Sequence, residues 1–128
     1  MLLAAPAYAD EGREAGLLLE RRAGSAWADL VSARSEPHAD GVTRVVEAYQ
    51  NPYAEPLAGA YLRRLPPDAV VERLIFTLGD AAPHAALLTR RPGGVLVERT
   101  AEIGPGETLV VELEYRRRAA RRLLASRD

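Results

Sequence analysis

The run IGPGETLVVELEY, residues 103 to 115, constrains the fold of this chain more than any other stretch. Leu109, Val111, Leu113 and Tyr115 alternate with Thr108, Val110, Glu112 and Glu114, so one face is apolar and the other mostly polar. A period of two is that of a half-buried strand, because successive side chains on an extended backbone point to opposite faces. Gly104-Pro105-Gly106 cannot continue a strand or a helix, since proline fixes φ and lacks an N–H while glycine readily takes positive φ. The strand therefore starts from a tight turn, and a neighbour must cover its apolar face.

Other runs are punctuated in the same way. GLLLER (16 to 21) reads as a short strand turned by Gly24-Ser25. In WADLVSAR (27 to 34) the apolar residues fit helical spacing, but the context favours a strand. Asp40-Gly41 predicts a hairpin leading directly into Val42 to Gln50. Leu57 to Leu65 forms the next strand, which Pro66-Pro67-Asp68 stops, and Val70 to Leu78 reads as a central strand. Pro92-Gly93-Gly94 opens Val95 to Arg99. The tail, Arg116 to Arg127, favours a helix, with Ala119, Ala120, Leu123 and Leu124 as one stripe and arginines as the other. The expectation is an all-β fold: an antiparallel β-sandwich of about seven short strands with a C-terminal helix. Tyr49, Tyr61, Leu74, Phe76, Leu109, Val111 and Leu113 form its expected core.

The order of certain residues resembles the VIT domain, the vault and inter-α-trypsin-inhibitor module. They are Tyr49, Asn51 and Pro52, then Glu55, Pro56 and Leu57, then Tyr61, Leu65 and Pro66, and Ala69, Val70, Gly79 and Asp80. Further on come Arg91, Pro92, Ile103, Pro105, Gly106, Glu107 and Tyr115. The resemblance covers about residues 41 to 115 and points to a shortened bacterial relative, for two reasons. Only Ala81 to Ala86 lie between Asp80 and Leu87, where the family usually has a further strand and a helix; and Arg63-Arg64 stands where the family tends to carry Phe-Pro. The family implies no catalytic residues, and it implies a protein partner or an adjacent domain such as a von Willebrand factor A domain. The Asp-x-Ser-x-Ser metal motif of that domain does not occur in this sequence.

At 128 residues and 48% hydrophobic, the chain can bury one sizeable core. The expected organisation is a signal-peptide remnant at 1 to 9, the β domain at 10 to 115 and a basic helical tail or linker at 116 to 128. Ala7-Tyr8-Ala9 before Asp10 fits the small-x-small pattern of signal-peptidase cleavage, which predicts export to the periplasm or cell surface. Net charge is −1 and all 17 basic residues are arginine, which gives no case for nucleic acid. The absence of cysteine excludes disulfides and thiol chemistry. No segment approaches the apolar length of a membrane-spanning helix.

Candidate chemistry is sparse. His38 between Glu36 and Asp40 offers cation ligands in one loop, although no glycine-spaced calcium loop surrounds them, and His84 stands among alanines as a surface residue. None of the four serines lies in a nucleophile elbow. Glu112 and Glu114 share the polar face of a strand, where they are expected to face Arg63 or Arg64. Asn51, Pro52, Gly79, Asp80, Gly104, Pro105 and Gly106 are expected as structural turns. Arg116, Arg117, Arg118, Arg121 and Arg122 form the only strong local field and an interaction candidate.

The sequence thus predicts a non-catalytic module of an exported protein, without cofactor or metal, that binds a protein or supports an adjacent domain. With the family's helix missing, the tail stripe is expected to fold back over the sheet or to pack against a second copy of the chain. The competing expectation is a small ligand- or metal-binding sandwich or enzyme built around His38, His84 and Asp80.

Overall fold

A computed structural model describes residues 14 to 37, 41 to 87 and 91 to 117. The chain forms eight strands: β1 (Ala15–Arg21), β2 (Gly24–Trp27), β3 (Asp29–Pro37), β4 (Val42–Gln50), β5 (Gly59–Leu78), β6 (His84–Leu87), β7 (Arg91–Arg99) and β8 (Thr108–Arg117). All pair antiparallel in one sheet, ordered β2-β1-β5-β8-β4-β3, with β6 and β7 also on β5. β2 and β3 stand at the two ends of that order, yet Ala28 alone separates them in sequence. The sheet therefore curls until its ends nearly meet.

β5 produces the curl. Its first half pairs with β1 and most of β7, and its second half with β8, β6 and the first residues of β7. Pro66 and Pro67 lie at the change of partner, where the β7 register slips between Leu65 and Val70. Two consecutive residues without an N–H cannot sustain a ladder, so the strand bends there and is passed from one set of neighbours to another. These prolines were expected to end the strand; the ladder resumes at Ala69 instead, and residues 59 to 78 form one element. That merger lowers the expected seven strands to six, and two short strands that were not expected, β2 and β6, bring the count to eight.

The two halves of β5 face each other across the core. Tyr61 in the first half is fully buried and packs edge-on against Phe76 in the second half and Tyr49 of β4, with centroids 6.2 Å apart in each case. Such aromatic pairs contribute about 0.5–1.5 kcal/mol each beyond their buried area. Leu17 and Leu19 of β1, Leu74 of β5 and Leu109, Val111 and Leu113 of β8 fill the remaining space. The alternation read in β8 is seen directly, and every residue expected in the core is buried.

The expected C-terminal helix does not begin at Arg116. Arg116 and Arg117 continue β8, opposite Val70 and Ala69 of β5, and their charges have partners: Arg116 Nε lies 3.1 Å from Glu72, and Arg117 Nη2 lies 3.0 Å from Asp68. Cross-strand ion pairs favour extending the ladder over opening a helix. No helix occurs among the described residues. The rest of the tail, including Arg118, Arg121 and Arg122, lies outside them, as do the signal remnant at 1 to 9 and His38 and Asp40.

Candidate functional site

The inward face of β4 carries Val45, Glu47 and Tyr49 by simple alternation, and the inward face of β5 carries Tyr61, Arg63 and Leu65. Each strand thus aims one charged side chain at the interior, and the register of the bent sheet brings the two together. The Tyr61 hydroxyl donates to Glu47 Oε1 at 2.6 Å, Arg63 Nη2 donates to Glu47 Oε2 at 2.6 Å, and Arg63 Nε donates to the Tyr61 oxygen at 2.9 Å. Glu47 is only 4% exposed, and a carboxylate so placed is stable only when its charge and lone pairs are met. The guanidinium meets the charge, and the phenol the second oxygen.

Glu47 and Arg63, but not Tyr61, line a cleft of about 420 Å³ together with Glu14, Arg34, Ser35, Arg64, Pro66 and Tyr115. Burial pushes the Tyr61 phenol far above its ordinary 10.0, with Arg63 partly opposing the shift. For Arg63, burial acts to lower the pKa, but Tyr61 and Glu47 more than offset it and the guanidinium stays above its ordinary range. A phenol that keeps its proton is no nucleophile near neutral pH, and a guanidinium that keeps its charge holds the Glu47 carboxylate in place. The network holds shape and charge.

At the opposite end of the sheet the expected turn residues converge on one buried side chain. Asn51 is completely buried; its Nδ2 donates to the carbonyls of Glu55 and Ile103, and its Oδ1 accepts from the Tyr53 N–H. Its backbone N–H donates to the Glu107 carbonyl, and its carbonyl accepts from Gly106 N–H. The Glu107 carboxylate accepts from Gly104 N–H at 2.7 Å and lies where a Cβ on Gly79 would come within 3.0 Å of it. Gly79 has φ +55 and Gly106 φ +72, conformations that favour glycine. Leu57 and Ile103 exchange backbone hydrogen bonds beside them. Motif residues spread over more than fifty positions thus tie three loops into one knot, and Pro52, Asp80 and Pro105 occupy its turns.

His84 opens β6 and is exposed, as expected, at the rim of a second cleft of about 280 Å³ lined by Phe76, Leu78, Glu98, Arg99 and Leu109. No group of three metal-ligating side chains occurs among the described residues. Glu36, the described member of the His38 cluster, is engaged by Arg34 Nε at 2.9 Å.

Glu112 and Glu114 do not face Arg63 or Arg64. β8 lies between β4 and the second half of β5, so Glu112 accepts from Arg44 Nη2 at 2.6 Å, and Glu114 lies 3.9 Å from Arg44 Nε. Arg63 points inward instead and belongs to Glu47. The buried triad was missed although its signal is visible: a glutamate and an arginine, each in phase with core residues of an alternating strand.

No family model matches the chain, and neither does any curated protein or solved structure.

Proposed function

We propose that the chain is a non-catalytic, VIT-like β module, its bent sheet closed into a sandwich-like unit, that works through its surface by binding a protein or supporting an adjacent domain. The supporting observation is the use made of its polar residues. The Asn51 knot consumes the turn motifs, and Tyr61, Arg63 and Glu47 satisfy one another inside the fold, so the residues best able to recognise or transform a small molecule are committed to structure. Sequence order like that of VIT domains, a pattern fitting export at residues 7 to 9 and the placement of the motif residues at one end of the sheet agree with a module of the cell envelope.

Among the described residues, no helix is long and apolar enough to cross a membrane. A von Willebrand factor A domain or another envelope protein encoded next to this chain is the partner class proposed. Co-expression tests this: the neighbouring product should co-purify with the chain and raise its melting temperature. Independent purification with two unshifted transitions would contradict the reading.

The cleft beside His84 is the observation that favours the second reading, a ligand-binding role near His84 and Asp80. Titration with zinc or calcium separates the two, because saturable binding abolished by His84→Ala would support the ligand site.

A further inference from the structure

Four strands, β2, β3, β6 and β7, have a described neighbour on one side only, and the two longest of them, β3 and β7, are built differently. β3 is exposed along its length, with Leu30 57% and Val31 58% exposed, but it carries several devices that discourage pairing. Its register breaks between Leu30 and Ser32, Pro37 ends it, and Asp29, Arg34 and Glu36 charge it. In β7 the register slip and Pro92 lie before Gly94, and Glu98 and Arg99 follow Val97, but the run from Gly94 to Val97 carries none of these. It shows solvent Val95, 59% exposed, and Val97, 41% exposed, beside Leu62 of β5, which is 4% exposed without joining the core cluster. An edge run that exposes β-branched, uncharged residues is a template for another strand.

The direction of the backbone groups follows from the ladder. Thr100 N–H donates to the Gly59 carbonyl, so Gly59, Tyr61, Arg63 and Leu65 turn their peptide groups towards β7, opposite Glu98, Leu96 and Gly94. The peptide groups of Val95, Val97 and Arg99 consequently point away from the sheet. A two-fold axis through Leu96 aligns these outward groups with those of an identical strand: Val95 meets Val97 of the second copy, Val97 meets Val95, and Arg99 meets Gly93. Glu98 then meets Gly94, so no charge is set against a like charge, and Arg99 keeps its own Glu20 at 3.1 Å. The strand is self-complementary in hydrogen bonding, in side-chain chemistry and in charge.

We propose that β7 is the strand through which two copies of this chain pair, antiparallel about Leu96, joining their sheets across an apolar stripe of Val95 and Val97. This rests on the reading that the chain works through its surface, and it names one partner as the chain itself. The test measures mass in solution by sedimentation, together with amide exchange. The whole chain should sediment at twice its protomer mass, and the Val95, Val97 and Arg99 amides should exchange as slowly as their inward neighbours Leu96 and Glu98. Val97→Lys, or Val95→Lys if the first misfolds, should give a folded monomer with those amides fast, whereas Val31→Lys on β3 should leave the dimer intact. A monomer at high concentration, or a dimer with fast Val95 and Val97 amides, would overturn the proposal; a monomer that still co-purifies with the neighbouring gene product would leave the module reading standing.

Discussion

The Arg63 guanidinium meets the Glu47 carboxylate at 2.6 Å inside a sheet whose other inward positions are almost all apolar. The pair is held by its own geometry. Removing one partner strands the other, and a buried charge left alone costs about 3–5 kcal/mol. Arg63→Ala should therefore destabilise the protein by about that amount in denaturant unfolding. A loss below about 1 kcal/mol, in the range of exposed pairs, would show Glu47 to be well solvated.

Alkaline stability should report on Tyr61. Its folded-state pKa is raised above the ordinary 10.0, so the native state holds this proton more tightly than the unfolded chain does. The associated stability is fully present below about pH 10 and is lost as pH rises beyond it, because the unfolded phenol then ionises and the buried one does not. Tyr61→Phe should flatten this alkaline decline relative to the parent, measured as unfolding free energy between about pH 9 and 11. An equally steep decline in the variant would assign the effect to other groups.

Asn51→Ala should leave the carbonyls of Glu55 and Ile103 and the Tyr53 N–H without their side-chain partner. A buried group left unsatisfied costs about 1–3 kcal/mol, and because only the Ile103 bond is fully buried while the other two are part-buried, a total on the order of 3 kcal/mol is expected. Asn51→Asp should be at least as damaging, because it replaces the amide donor facing two carbonyl oxygens with an acceptor. Thermal melts of the two variants decide this, and an aspartate variant as stable as the parent would contradict the hydrogen-bond assignment.

Phe76→Ala should cost about 3–5 kcal/mol, as for a large side chain removed from a packed core. Phe76 packs against Tyr61 from the other half of the same strand, so its loss should also loosen the bend of β5. Denaturant unfolding checks the cost, and a loss below about 1 kcal/mol would place Phe76 outside the core.

The sequence disclosed what is local. Alternation in β8, the glycine turns and the aromatic core positions follow from period and backbone stereochemistry, which a short window contains. Long-range register stayed hidden. Pro66-Pro67 looks like a stop because a single strand is expected to keep its partners, whereas β5 changes partners there and continues. Arg116 and Arg117 look helical by composition, but Glu72 and Asp68 on β5 hold them in a ladder that no local pattern reveals. Glu47 and Arg63 were legible as charges in core phase; that they meet depends on how the sheet curls.

Replacing both members of the buried pair, Glu47→Leu with Arg63→Met, in a Tyr61→Phe parent that leaves no buried phenol hydroxyl stranded, tests most directly whether the polar interior serves the fold or the function. A buried ion pair exchanged for apolar residues of similar volume is often neutral or stabilising by about 1–4 kcal/mol. A purely structural pair predicts a double variant within about 1 kcal/mol of the parent or more stable, with unchanged mass in solution and unchanged co-purification with the neighbouring gene product. A double variant that is folded and stable but has lost that association would contradict this, and would make the cleft above Glu47 and Arg63 the working site of the protein.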